Sequence, residues 1–211
     1  MAGQLQLANL FETPVILDVL PDAVTLNDDF RRMIAARRST DLGVKKSNWN
    51  GWQSDVDMLT WGGEAATRLA DHFIGLCNKF SAVSDPAAFV WSVDMWANVS
   101  PSGASNEAHV HPGVVWSAVY YVEDGYGGSG STELGGELVL YDPRMPFVRM
   151  LPFDVRYRRP DGRPADSQTS IRPTAGQIVM FPPWLLHSVH PFRGEGERIS
   201  IAMNALAVAQ R

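Results

Sequence analysis

The stretch Ala108-His109-Val110-His111-Pro112-Gly113-Val114-Val115-Trp116-Ser117-Ala118-Val119-Tyr120-Tyr121-Val122 carries the decision about the fold. A short segment with two histidines at alternate positions is followed by a Pro-Gly break and then by a run rich in Val, Tyr and Trp. That texture marks two strands joined by a turn. It extends in both directions from Ala88 onward and predicts strands at Phe89 to Val99, Ala108 to His111, Val114 to Val122, Gly136 to Tyr141, Gln177 to Phe181, Leu186 to Val189 and Arg198 to Leu206. About seven strands suffice for a sandwich or a barrel.

Upstream the pattern is largely helical. Pro14-Val15-Ile16-Leu17 reads as a strand, and Asn27-Asp28-Asp29 as a cap for a helix running towards Arg38. From Glu64 to Phe80, the residues Ala65, Leu69, Phe73, Leu76 and Phe80 recur at steps of three and four, a stripe that a helix buries against a sheet. The 211 residues are therefore expected to form a single domain, with residues 1–87 as an α-rich bracing part and residues 88–211 as the β core. Between Asp142 and Ser170 lie Pro143, Pro146, Pro152, Pro160 and Pro164 with six arginines, far more chain than a β-connection needs. This segment reads either as a lid or as a surface insertion without function.

Composition narrows the function classes. With 45% hydrophobic and 19% charged residues the chain is a folded globular protein. A net charge of −5 supplies no field for gripping a phosphate backbone and argues against a dedicated nucleic-acid binder. The one cysteine, Cys77, rules out an intramolecular disulfide and a cysteine-based zinc site. The N-terminus lacks a basic region followed by an apolar run, and no apolar stretch approaches the ~20 residues of a membrane span. The expectation is a cytoplasmic protein, with a homodimer only as the common default.

Four of the five histidines fall in two short segments. Residues two apart on a strand share a face, so His109 and His111 can converge on one ion. The plain alternative is a pair of solvent-facing or hydrogen-bonded histidines at a strand end. A third ligand comes from Phe181 to Pro191, where His187 and His190 are the candidates; His187 follows an apolar strand and a turn and is preferred. His190, beside Pro191, suits a supporting or surface role. His72, on a helix with no partner, reads as an ordinary surface histidine. The alternation in Arg198-Ile199-Ser200-Ile201-Ala202-Met203-Asn204 puts Arg198, Ser200, Ala202 and Asn204 on one face. Turned inward, Arg198 would need an anion that matches its planar fork; turned outward, it would pair with Glu195 or Glu197, which local sequence slightly favours.

Ser47-Asn48-Trp49-Asn50-Gly51-Trp52-Gln53-Ser54, Trp96-Ala97-Asn98, His109-Val110-His111-Pro112-Gly113, Ser117 to Tyr121, Gly135-Gly136-Glu137-Leu138, Asp142-Pro143-Arg144 and Pro173 to Asn204 together resemble the 2-oxoglutarate and iron(II)-dependent oxygenases of bacteria, within the superfamily that includes the prolyl hydroxylases. The resemblance implies a double-stranded β-helix, a jelly-roll or cupin-like barrel braced by N-terminal helices. It implies Fe(II) as cofactor, 2-oxoglutarate as co-substrate, and dioxygenase activity that hydroxylates a small molecule or a protein side chain. In that superfamily a His-x-Asp or His-x-Glu motif and a distal histidine hold iron, and a later basic residue takes the far carboxylate of 2-oxoglutarate. His109, His111, His187 and Arg198 match that order. The departure is His111, which stands where a carboxylate is usual and leaves one more positive charge on the metal centre.

Asn98 is similar in placement to an asparagine that touches 2-oxoglutarate in the nucleobase-repair relatives. Ser117 and Tyr120 are expected to line the barrel, with hydroxyls for the co-substrate, and Asn204 to join them on the face of Arg198. Glu107 is either a fourth ligand or, preferably, an acceptor for an imidazole N–H. Trp96, Trp116 and Trp184 read as core. Two other readings are a cupin-like metalloprotein that does not use 2-oxoglutarate and a non-enzymatic β-sandwich binding a partner through the 142–170 loop.

Overall fold

A computed structural model of the chain describes residues 10–144 and 155–210. Its elements are β1 (Ile16–Val19), α1 (Ala23–Arg38), β2 (Asn48–Trp49), β3 (Trp52–Gln53), α2 (Met58–Trp61), α3 (Gly63–Phe80), β4 (Phe89–Ser100), β5 (Ser105–His109), β6 (Trp116–Glu123), β7 (Leu138–Tyr141), β8 (Gln168–Ile171), β9 (Gln177–Phe181), β10 (His187–Val189) and β11 (Arg198–Ala209). They form a six-stranded sheet in the order β1-β9-β6-β11-β4-β3 and a five-stranded sheet in the order β2-β5-β10-β7-β8, with antiparallel pairing throughout. This is the double-stranded β-helix that the resemblance implies. No helix among the described residues is long and apolar enough to cross a membrane.

Strand parity divides the six-stranded sheet between two cores. Ala118, Tyr120 and Val122 of β6, Ile178 and Met180 of β9, and Ile201, Met203 and Ala205 of β11 pack outward. They meet Leu26, Phe30 and Ile34 of α1 and Leu69, Phe73 and Leu76 of α3. The helices thus cover one face of the sheet and hold it rigid. The alternate residues Tyr121, Val179 and Phe181 turn inward and join Leu138, Leu140 and Leu185 between the sheets.

Several expectations shift. Helix α1 begins at Ala23, a turn before Asn27, which is buried and accepts a hydrogen bond from the Tyr120 hydroxyl at 2.7 Å. Asn27 therefore ties helix to sheet and caps nothing. Phe80, at the end of the α3 stripe, is 43% exposed. Strand β5 runs from Ser105 and stops at His109, two residues short of His111. The short elements β2, β3 and α2 lie between the two expected helices, where the sequence shows no pattern because two to four residues are too few to display a period. The end of the 142–170 segment is edge strand β8, paired with β7. Residues 155–164 are exposed, with a bridge between Arg158 and Pro164, and Ser167 is buried. Residues 145–154 of the expected lid lie outside the described residues.

Candidate metal and co-substrate site

Strands β5 and β10 are neighbours, and their register sets His187 opposite His109. His111 reaches the same point differently: it has left the strand, and its backbone N–H donates to the Pro183 carbonyl at 2.9 Å. The ligand-capable atoms of His109, His111 and His187 all lie within 4.8 Å of one another. Two of the rings are oriented by main-chain acceptors. His109 Nδ1–H donates to the Glu107 carbonyl at 2.7 Å, and His187 Nδ1–H donates to the Leu185 carbonyl at 2.8 Å. Each bond fixes a tautomer and leaves Nε2 bare for an ion. His111 Nε2 lies 3.2 Å from His187 Nε2, so the third ring presents the same atom.

Electrostatics favours the neutral rings. Burial holds His187 down to about 3, with His109 adding to the effect and the Leu185 bond opposing it. Burial and the neighbouring His109 hold His111 down to about 4. Both are neutral at physiological pH, the state in which imidazole binds a metal.

The histidines line a cavity of about 460 Å³ between the sheets. Arg198, at the start of β11, lines it too. This side chain is 3% exposed, its Nε has no hydrogen-bond partner, and it makes no ion pair among the described residues. The outward alternative is not what the fold adopts: Glu197 pairs instead with Arg38 at 2.9 Å. A buried guanidinium with an unmet Nε donor, lining a cavity, suits an anion. The ring of Tyr121 packs beside it, 5.8 Å from the guanidinium carbon. Burial raises the Tyr121 phenol to about 12, with Arg198 working in the opposite direction, so its hydroxyl stays a donor.

The remaining expected residues divide. Asn98, Ser117 and Asn204 line the cavity, and Ser117 Oγ–H donates to Asn204 Oδ1 at 2.8 Å. Tyr120 does not: it faces the helices and bonds Asn27. Parity was the available signal, since Ser117 and Tyr120 are three apart and cannot share a face, whereas Ser117 and Tyr121 are four apart and do. Glu107 is a supporting acceptor through its carbonyl; its carboxylate accepts from the Trp49 indole at 2.7 Å and is outside the metal-competent group. His190 is outside it as well, beside Glu137 at 3.4 Å. His72 pairs with Asp18 at 3.0 Å, the ordinary surface role. Trp116 is core, Trp184 is 53% exposed, and Trp96 lines the cavity with its ring 6.0 Å from that of His111.

Three converging imidazoles suit a divalent first-row metal such as iron, and the orphaned Nε of Arg198 suits a carboxylate, so the residues present fit both groups of a keto-acid-dependent iron enzyme. Residues 94–204 match the family described as "Putative 2OG-Fe(II) oxygenase". The chain belongs to this family of 2-oxoglutarate and iron(II)-dependent oxygenases, which are oxidoreductases. No curated protein matches it by sequence. Among solved structures it is similar to a Pseudomonas putida prolyl-4-hydroxylase, with 16% identity, a TM-score of 0.60 and 93% of each chain covered. A Trichoplax adhaerens prolyl hydroxylase in complex with a hypoxia inducible factor peptide fragment gives 13% identity and a TM-score of 0.63, covering 92% of this chain and 83% of the other. HygX from Streptomyces hygroscopicus, solved with nickel and 2-oxoglutarate bound, gives 13% identity and a TM-score of 0.58, covering 92% and 82%. At these identities the likeness is one of fold.

Proposed function

We propose that this oxygenase hydroxylates its substrate at an iron held by His109, His111 and His187, with 2-oxoglutarate anchored by Arg198. The observation that carries the reading is the pairing, in one cavity, of a three-imidazole cluster with a buried guanidinium that has an unmet donor. Bound Fe(II) and 2-oxoglutarate would supply the oxidising power: the keto acid would be split to succinate and carbon dioxide, with one atom of dioxygen entering the succinate and the other the substrate.

The protein's share is binding, orientation and exclusion of water. The Glu107 and Leu185 carbonyls hold the His109 and His187 rings with Nε2 inward. Arg198 takes the far carboxylate, and Tyr121, whose ring packs by the guanidinium and lines the same cavity, offers a hydroxyl donor to the co-substrate. Asn98 lines the cavity on β4, two residues along the same strand face from Trp96, where it can reach the co-substrate. The substrate is a small molecule or a peptide side chain admitted at the open end of the cavity. The single buried, unpaired Cys77 supports a cytoplasmic setting.

The test is an anaerobic titration of the Fe(II)-loaded protein with 2-oxoglutarate, following the metal-to-ligand charge-transfer band, with His187→Ala and Arg198→Ala alongside. A band that needs His187 and is weakened without Arg198 is expected. Tightly held iron with no band would overturn the use of 2-oxoglutarate and favour the cupin-like alternative.

A further inference from the structure

His111 differs from the other two histidines in what meets its Nδ1. His109 and His187 each face a carbonyl, which can only accept. His111 Nδ1 faces the side-chain amide of Asn204, with Nδ2 at 3.4 Å, and the other end of that amide accepts from Ser117 Oγ–H at 2.8 Å. Ser117 is 2% exposed and Asn204 8%, so the Ser117–Asn204 pair is buried, while His111 is half-buried at the cavity.

Coordination through Nε2 requires the proton of His111 to sit on Nδ1, and that N–H then needs an acceptor. With Nδ2 turned towards it, Asn204 offers a donor, which suits the opposite tautomer. The two ends of an amide are nearly the same size, and a hydroxyl both donates and accepts. Turning the amide over would present Oδ1 to His111 Nδ1–H and Nδ2–H to Ser117 Oγ without moving any other atom. A carboxylate ligand at position 111 would need no such help; a histidine does.

We propose that Asn204 is a positioning residue for the metal site, which turns its amide oxygen to His111 Nδ1–H and so selects the tautomer that binds metal through Nε2, with Ser117 accepting the freed amide N–H. The inference rests on the reading of His111 as a ligand. It gives Asn204 a role towards the metal in place of direct contact with 2-oxoglutarate.

Zinc alone is the probe, titrated into the full chain against a chelating dye, with ¹⁵N–¹H correlation of the imidazoles of the zinc-loaded protein as a second readout. Asn204→Leu keeps the size and removes the acceptor; Asn204→Asp keeps the size and the acceptor, replaces the amide N–H with a second acceptor that Ser117 Oγ–H can meet, and adds a negative charge. Zinc affinity is expected to fall about 10- to 100-fold in Asn204→Leu and to match or exceed wild type in Asn204→Asp. His111 of the zinc-loaded wild type is expected to carry its proton on Nδ1. Equal losses in the two variants, an unaffected Asn204→Leu, or a proton on Nε2 would each overturn the inference. If Asn204→Leu does not fold, Asn204→Asp and the wild-type tautomer decide. Wild-type protein that takes up no zinc would overturn the three-histidine site itself, and the inference with it.

Discussion

Gly136 lies against the stem of Arg198: a Cβ at Gly136 would come within 2.9 Å of Arg198 Cδ and 3.1 Å of the Phe192 ring, and the glycine has φ +78°. Phe192 is fully buried and cannot retreat, so the arginine stem has to give way towards the cavity that it lines. Gly136→Ala is therefore expected to destabilise the protein by about 1–3 kcal/mol through overpacking and left-handed strain. It should also raise the KM for 2-oxoglutarate by displacing the guanidinium. Thermal melts and co-substrate kinetics on the same preparation check both effects; a stable variant with unchanged KM would remove Gly136 from the arginine's support.

Arg198→Met is expected to separate stability from binding. The guanidinium is buried with an unmet Nε, and an apolar side chain of similar length removes that cost, so the metal-free protein should melt at the same temperature or higher. Loss of a buried charge-to-carboxylate contact should weaken 2-oxoglutarate by about 30-fold or more, consistent with a few kcal/mol for such pairs. Isothermal titration on the metal-loaded protein measures it.

The adjacent tyrosines provide a paired control. Tyr121→Phe removes the hydroxyl of a cavity-lining ring that packs by Arg198 and should raise the co-substrate KM with little change in stability. Tyr120→Phe strips the buried Asn27 side chain of its donor and should cost about 1–2 kcal/mol of stability with the KM unchanged. Exchanged outcomes would mean that β6 presents the opposite face to the cavity.

Acid should act through the imidazoles. In the unfolded chain a histidine takes its proton near pH 6.5, whereas burial holds His111 to about 4 and His187 to about 3 in the fold. Between those limits the unfolded state binds more protons, so stability is complete above about pH 6.5 and is lost as pH falls towards the folded values. Urea unfolding of metal-free protein at pH 7.5, 6.0 and 5.0 should show the decline, and His187→Gln should flatten it.

Much of the fold was legible because it is written in local periods. The β-rich half announced itself by alternation, and each of the seven expected strands overlaps one of the strands β4 to β7 or β9 to β11. Where the expectation was wrong, a partner distant in sequence decided: Tyr120 recruits Asn27 from 93 residues away, which makes a would-be cap into a buried tether. For the same reason β5 ends early, since the His111 N–H goes to Pro183 and not to a strand neighbour.

The sequence by itself determined that the candidate ligands are histidines close together in two short segments, and that Arg198, Ser200, Ala202 and Asn204 share one face, since spacing along one strand decides that parity. Only the tertiary structure decided between inward and outward for Arg198, between His187 and His190 for a place in the three-histidine cluster, and between Tyr120 and Tyr121 for the cavity. Those choices turn on which face of each sheet the helices cover and on the β5–β10 register, both set by packing between segments far apart in the chain.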